Sequence, residues 1–292
     1  MPRLVETRQS TPAPAGVAPA RGVLLPAPPQ GRFEHSRRLP PDDLLPRIEH
    51  LWFVRWDLRP GPHFEQQILP HPNPHIVFEP GRSGIAGIYR GRFTRMLEGA
   101  SGVIGIKLRP GALRPLLGYP VAAIANRIVP IASVFGPAGT AWQAAMLALD
   151  TRAEDAAIAC AAAFLRDHLP APDPEAAQAA RVVAFILHHP EVRTVEQLAQ
   201  ATAMGVRSLQ RLFREYVGAT PKWVIRRYRL HELAERLKSG AELDGAHLAL
   251  ALGYTDQAHL INDFRALVGC SPERYRNRLR LARAIKYRDN TP

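Results

Sequence analysis

Leu248-Ala249-Leu250-Ala251-Leu252-Gly253-Tyr254-Thr255-Asp256-Gln257-Ala258-His259-Leu260 reads as a short helix, a tight turn and the opening of a second helix, and the chain uses this unit twice. The other copy lies upstream: Leu198-Ala199 in a short helix, a turn, then a helix with Leu209 and Phe213, followed by Gly218, Thr220 and Pro221. Downstream, the same places hold Leu260, Phe264, Gly269, Ser271 and Pro272. The first helices match at an offset of 50 residues and the second helices at 51, so one residue is added in the turn. Such self-similarity marks one supersecondary unit used repeatedly. Each copy stops on glycine, and Thr-Pro or Ser-Pro then starts a further helix. The hydroxyl caps free amides of the first turn, where proline needs no amide partner. Thr194 and Gln197 have capping-box spacing ahead of the upstream unit. The pattern predicts two helix-turn-helix units, at about residues 192–218 and 244–269.

The second helix of each unit has two faces. Upstream, Val206, Leu209, Phe213 and Val217 form an apolar stripe for packing on the unit's first helix. The opposite face carries Arg207, Gln210, Arg211 and Arg214, at spacings of three, four and seven, with no acid among them. Long donors arrayed this way suit a DNA major groove. Arginine pairs with guanine and glutamine with adenine, each good bidentate pair being worth about 1–3 kcal/mol of discrimination. On this helix alone a solvated charged face has the same composition. Downstream the equivalent face is Ala258, Ile261, Asn262 and Arg265, with Gln257 and His259 alongside and Asp256 and Asp263 nearby. That face is less basic and is expected to contribute less affinity, yet Gln257, His259 and Asn262 can read base edges and Ala258 or Ile261 can touch a thymine methyl.

Between the units, Pro221 to about Lys238 keeps one helical pattern of roughly 18 residues, spanning roughly 27 Å. With the turns added, the two recognition helices reach one duplex turn apart, near 34 Å, so that one chain does what usually takes a dimer. A basic tail follows: Arg274, Arg276, Arg278, Arg280, Arg283, Lys286 and Arg288. Most of these side chains are read as solvated, some as phosphate contacts.

Charge agrees with a polyanionic partner. The 292 residues carry a formal net charge of +12, and the segment from Arg181 onward holds +8 of it, 19 Lys and Arg against 11 Asp and Glu. The only two cysteines, Cys160 and Cys270, lie far apart without metal-spaced neighbours, which argues against a disulfide scaffold or zinc finger. No run approaches the ~20 apolar residues of a membrane span, and no signal peptide is evident, so a cytoplasmic location is expected.

Upstream of the repeat the character changes. Residues 1–40 are rich in Pro, Ala and Arg and read as a disordered leader. Residues 41–170 form a regulatory domain in which short β-prone runs alternate with turn signals: His50–Leu58, Glu65–Leu69, His75–Glu79, Gly84–Tyr89 and Gly102–Leu108. Two Ala-rich helical patches follow, Thr140–Leu149 and Ala153–Leu169. Pro170-Ala171-Pro172-Asp173-Pro174 is a stiff linker whose Asp173 caps the next helix. The fold class is therefore α+β with two domains, each with its own core: an N-terminal β-rich barrel or sandwich with helices, and a C-terminal all-α double helix-turn-helix domain over 174–285.

The quoted run, continued through Phe264, Gly269, Pro272 and Tyr275, resembles the DNA-binding domain of the AraC/XylS family, and the likeness extends over about 174–280. The resemblance implies seven helices, promoter or operator binding on double-stranded DNA, and base contacts at Arg207, Gln210 and Arg211 in the first unit and at Gln257, Ala258 and Asn262 in the second. Gly245 departs from the family's branched apolar residue, Gly205 from its Ser-type cap, and Asn262 from the basic residue of some members. More loosely, Leu51-Trp52-Phe53-Val54-Arg55-Trp56, Leu69-Pro70-His71-Pro72 and Lys107-Leu108-Arg109-Pro110-Gly111 resemble an uncharacterised β-rich domain found ahead of such units. By analogy it is a cupin-like barrel that senses a small-molecule effector or mediates homodimerisation; an activator would also contact RNA polymerase.

Trp52 and Trp56 fall on one side of a strand and are candidate pocket residues, although core packing explains them as well. Arg109 before Pro110-Gly111 is a candidate anion contact, or an exposed turn arginine. His63, His71, His75 and Glu79 are metal-ligand types, but they show no His-x-His pair, and no metal or other cofactor is expected. Gly81-Arg82-Ser83-Gly84 lacks the nucleophile-elbow frame. The competing enzyme reading, a DNA-targeted alkyl-damage repair protein, needs an activated cysteine. Cys160 sits among alanines and Cys270 in a Gly-Cys-Ser-Pro turn, so no enzyme is expected. A membrane-surface protein would need an amphipathic helix with bulky apolar residues opposite lysines.

Overall fold

The structure, a computed structural model, describes residues 31–61, 63–240, 249–250, 252–254 and 256–288, with side chains described as far as residue 281. Residues 1–30 of the expected leader, the first helix of the second unit up to Leu248 with its Gly245, Ala251 and Thr255, and the tail side chains of Arg283, Lys286 and Arg288 lie outside the described residues.

The N-terminal half is built on strand β2 (Ile48–Asp57), whose β-branched and aromatic residues suit a half-buried pleat. Its pairing with β7 (Ala100–Leu108) is irregular between Ile48 and His50, a bulge that absorbs one residue. The bulge explains why Ile48, Leu51 and Phe53 all bury on one face although the first two are three apart. Around this pair run β1 (Arg32–Arg38), β4 (His75–Phe78), β5 (Gly84–Ala86) and β8 (Ile128–Val129), giving a six-stranded sheet in the order β1-β2-β7-β4-β5-β8. A two-stranded sheet of β3 (Phe64–Ile68) and β6 (Phe93–Leu97) completes an open, sandwich-like body. Strand β1 corrects the leader, which was expected to run to residue 40. Its own composition is poorly apolar, but all seven residues find ladder partners on β2.

A short helix, α1 (Arg114–Leu117), follows β7, and one face of the large sheet is closed by α2 (Ala132–Ala148), which breaks at Gly136, and by α3 (Glu154–His168). Ala157, Ala161 and Ala162 let α3 lie close, and Leu165, Trp142 and Met146 bury against Phe53, Ile76, Phe78 and Ile106. On the other face Trp56, Leu58, Leu97 and Val103 pack with Phe64 of the small sheet. Beside them lies a polar group of His35, Arg37, Glu49, His50, His75 and Lys107. Lys107 Nζ donates to Glu49 at 2.8 Å, Asn73 donates to the same carboxylate at 3.0 Å, and Trp52 Nε1 donates to His75 Nδ1 at 3.1 Å. Burial, reinforced by Lys107 and Arg37, pushes His50 down to about 2, and burial lowers His35 to about 4. Gly105 lies directly beneath the Trp52 indole: a β-carbon there would fall 1.9 Å from Cε2.

The C-terminal half starts at α4 (Pro174–His188), capped by Asp173, whose carboxylate accepts from the amides of Glu175 and Ala176. Helix α5 (Val195–Ala201) begins with the Thr194/Gln197 capping box. Helix α6 (Val206–Leu212) runs on as a wider turn over Phe213–Val217 and stops at Gly218, φ 85°. Helix α7 (Pro221–Ser239) is capped by Thr220, whose hydroxyl accepts from Trp223 N. In the second unit Ala249 and Leu250 are helical, α8 covers Gln257–Val268 and stops at Gly269, and α9 covers Pro272–Arg288. Leu198, Leu209, Phe213, Val224 and Ile225 form the first unit's core; Leu233, Leu252, Leu260, Phe264 and Tyr275 form the second's.

The two halves do not keep wholly separate cores. Ile88 from the β5–β6 segment is fully buried among the first unit's residues, and Leu69 from the β3–β4 turn is fully buried among the second's. Polar contacts accompany them. Gly111 N donates to Tyr216 O at 3.2 Å, and Arg227 Nε donates to Pro70 O at 2.5 Å.

Ala203, in the first unit's turn, has φ 52° where Gly253, its counterpart at offset 50, has φ 71°. The left-handed region costs an alanine about 1–2 kcal/mol, more than glycine's added unfolded-state entropy, so Ala203→Gly should stabilise the chain by about 0.5–1 kcal/mol in urea unfolding. Destabilisation would show that the turn is not held left-handed. For His50, the folded ring resists a proton that the unfolded chain accepts near its ordinary value, so stability is full above about pH 6.5 and falls as pH drops toward the lowered folded value. At about pH 5 the loss should be about 1–2 kcal/mol, and His50→Gln should flatten the pH dependence of the urea midpoint by that amount. An unchanged slope would mean that the ring protonates freely in the folded state.

Candidate nucleic-acid interface

Helix α6 buries Leu209, with Phe213 and Val217 beyond its end, and this fixes which residues face outward. Arg207, Gln210, Arg211 and Arg214 are all exposed. Arg211 Nη2 lies 3.4 Å from Glu175 at 64% side-chain exposure, a surface pair of little net strength. Arg214 pairs with Glu215 at 2.7 Å. Glu215 is itself drawn inward, 16% exposed, by Arg114 of the N-terminal half at 3.4 Å. Glu175 is likewise engaged from behind, accepting from Tyr216 Oη at 2.9 Å. Gly205 serves as N-cap without a side-chain bond, as its lack of a hydroxyl requires.

On α8, Gln257, Ala258, His259, Asn262 and Arg265 are exposed, while Leu260 and Phe264 are buried. The two acids that dilute this face in the sequence are both occupied. Asp256 caps the helix, its carboxylate accepting from His259 N at 2.7 Å. Asp263 is 11% exposed and clamped by Arg226 of α7, whose Nε donates at 2.9 Å and whose Nη2 makes a second bond. The face presented outward is therefore more electropositive than its composition suggests.

Two arginines were missed by sequence reasoning. Arg226 acts from behind α8, and its partner is 37 residues away with no local signal. Arg90, from the β5–β6 segment, lines a cleft of about 70 Å³ together with Gln210, Arg214 and Thr220. It donates through Nη2 to Gly218 O at 2.9 Å.

Of the N-terminal candidates, Trp52 and Trp56 share the sandwich core and Arg109 lies apart from them. Trp56 is 6% exposed and donates to Glu98 O at 3.0 Å within the sandwich core. Trp52 is half-buried on the same side and holds His75. Arg109 Nε donates to Leu45 O at 2.6 Å and its amide to Arg47 O at 2.8 Å, so this arginine ties two loops together. His63 is exposed, His71 packs on the ring of His231 at 4.4 Å, and Glu79 pairs with Arg95. Burial pushes the thiols of Cys160 and Cys270 up, opposite to the lowered value that a nucleophilic cysteine requires. Among the described residues no helix is long and apolar enough to cross a membrane.

A helix-turn-helix domain family model matches residues 198–278, and a model of a domain of unknown function matches residues 36–130. The RCS-specific HTH-type transcriptional activator RclR of Escherichia coli is 34% identical over 87 residues, 30% of this chain and 30% of its own. An uncharacterized HTH-type transcriptional regulator of Haemophilus influenzae is 31% identical over 87 residues, 30% of this chain and 29% of its own. The chain thus spans about a third of the length of the curated relatives it matches. Among solved structures, the C-terminal domain of AraT, a response regulator from Geobacillus stearothermophilus, is 24% identical, covering 37% of this chain and 88% of its own with a TM-score of 0.32. The C-terminal part of this chain, residues 198–278, is an AraC-type helix-turn-helix domain.

Proposed function

We propose that the chain is a sequence-specific, double-stranded-DNA-binding transcriptional regulator of the cytoplasm, without enzymatic activity, and that its N-terminal half is the control element. The observation that carries this reading is the pair of outward faces on α6 and α8: Arg207, Gln210, Arg211 and Arg214 on one, Gln257, Ala258, His259, Asn262 and Arg265 on the other, all exposed, with Asp263 withdrawn by Arg226. Side chains of these types recognise base edges in a major groove, and arginine also neutralises phosphate. A small-molecule effector at the sheet face bearing Trp52, a second copy of the chain, and RNA polymerase are the further partners this reading adds. The raised thiols of both cysteines favour it over an alkyl-transfer enzyme.

The test is fluorescence anisotropy of the full chain on a duplex selected from a random library and on its scrambled counterpart, across salt. A regulator should prefer the selected duplex by about a thousandfold or more at physiological salt. Equal binding that collapses as salt rises would overturn the reading. Arg211→Ala should weaken the selected duplex by about 1–3 kcal/mol and relax one base position. An equal loss on both duplexes would make Arg211 a phosphate contact.

A further inference from the structure

The two helix-turn-helix units end on equivalent left-handed glycines, Gly218 and Gly269, at the repeat's offset of 51. One tripeptide of the N-terminal half reaches both. Arg90 Nη2 donates to Gly218 O at 2.9 Å, and Arg92 Nη1 lies 2.5 Å from where a β-carbon of Gly269 would stand. Arg90 is held in turn, its carbonyl accepting from Trp223 Nε1 of α7 at 3.0 Å. Apolar anchors repeat the pairing: Ile88 is fully buried in the first unit's core and Leu69 in the second's. Next to Leu69, Pro70 O accepts from Arg227 Nε at 2.5 Å and faces His231 Nε2 at 3.3 Å.

We infer that the β3–β4 turn (Leu69-Pro70) and the β5–β6 segment (Ile88 to Arg92) form a two-point brace that sets the spacing and rotation of the two recognition helices, making these N-terminal residues determinants of half-site spacing. The inference rests on the DNA-binding reading for its consequence and on the packing alone for its existence. Leu69 packs in the second unit, Ile88 in the first, and the Arg90–Arg92 stretch reaches both, so a rigid N-terminal body fixes the two at once. A free double unit adjusts to altered spacing by flexing around α7. A braced one cannot, and one inserted base pair, which shifts the second half-site by about 3.4 Å and about a tenth of a turn, becomes costly. Leu69, Ile88 and Arg92 touch no base in this scheme. They are positioning residues.

Two measurements on the full chain decide it. In hydrogen exchange, Leu69→Ala should speed the amides of Gln257–Val268 by about tenfold or more while those of Val206–Leu212 keep their protection; Ile88→Ala should do the reverse, and Leu69→Met should restore the native pattern. Uniform acceleration of both helices by each variant, or no change in α8 in Leu69→Ala, would overturn the brace. On a duplex selected by the full chain, one base pair inserted between the half-sites should weaken the wild type by about tenfold, and Arg92→Ala should cut that penalty to about threefold or less. Indifference of the wild type to the insertion, or an identical penalty in Arg92→Ala, would overturn it as well. If no duplex is selected, the DNA-binding reading fails while hydrogen exchange still judges the brace.

Discussion

The distance between the two recognition helices is set first by α7, 19 residues of uninterrupted helix from Pro221 to Ser239. At 1.5 Å per residue it spans about 28 Å, and it contains no glycine and no proline beyond its first position. Its N-terminal turns place Val224 and Ile225 in the first unit's core, and its C-terminal turns place Leu230, Leu233, Ala234 and Leu237 in the second's. Helix α7 therefore joins the units, but each packs only on its own end of it. The middle of α7 is different in kind, because Arg227, Arg229 and His231 are all buried there. Burial pushes Arg227 down to about 9, and among the described residues neither of its Nη atoms finds an acceptor. Arg229 reaches Gly253 O within the helical half, whereas Arg227 and His231 both face the Pro70 carbonyl from outside it.

The electrostatics of the outward faces follow from what stands behind them. Glu215, Glu175 and Asp263 all lie near the exposed cations of α6 and α8, and each is engaged by a group on the protein side: Arg114, Tyr216 and Arg226. Glu215 and Asp263 are largely covered by these bonds, at 16% and 11% exposure, so the bonds decide where negative charge is displayed. A carboxylate turned inward no longer repels a phosphate backbone whose approach is governed by cation number and salt. Two of the three engaging groups belong to the helical half. Arg114 does not, which means that part of the first unit's surface charge pattern is set by the other half of the chain.

Legibility divides along the range of the interactions. Caps, glycine stops, the repeat and the apolar stripes of α6 and α8 are local signals, and the boundaries of α5, α6 and α7 could be read from Thr194, Gly218, Thr220 and Ser239-Gly240. The outward residues followed from the same spacing. In the N-terminal half, β2, β3, β4 and β7 announce themselves through β-prone runs, whereas β1 is a strand only because β2 offers it a ladder, and its arginines resemble the leader that precedes it. Helix α2 extends further upstream than its Ala-rich patch because Gly136-Pro137 breaks the pattern without ending the element. Leu69 and Ile88 read as ordinary β-domain residues, and Arg226 as a solvated charge. Their roles depend on residues from 37 to more than 160 positions away, and no periodicity records such contacts.

The bond from Arg227 to Pro70 illustrates how the two kinds of contact divide the work. Apolar anchors such as Leu69 supply the free energy of docking, since burying a leucine is worth roughly 1.5–3 kcal/mol wherever it finds a suitable hollow. That term is nearly blind to direction. A buried guanidinium with one carbonyl acceptor contributes little net stability, because desolvation offsets most of what the bond returns. Its effect lies in what it forbids. Sliding the β3–β4 turn along α7 would leave Arg227 without its acceptor, at the full cost of an unpaired buried charge. The apolar residues hold the halves together, and the poorly satisfied arginine fixes the register in which they are held.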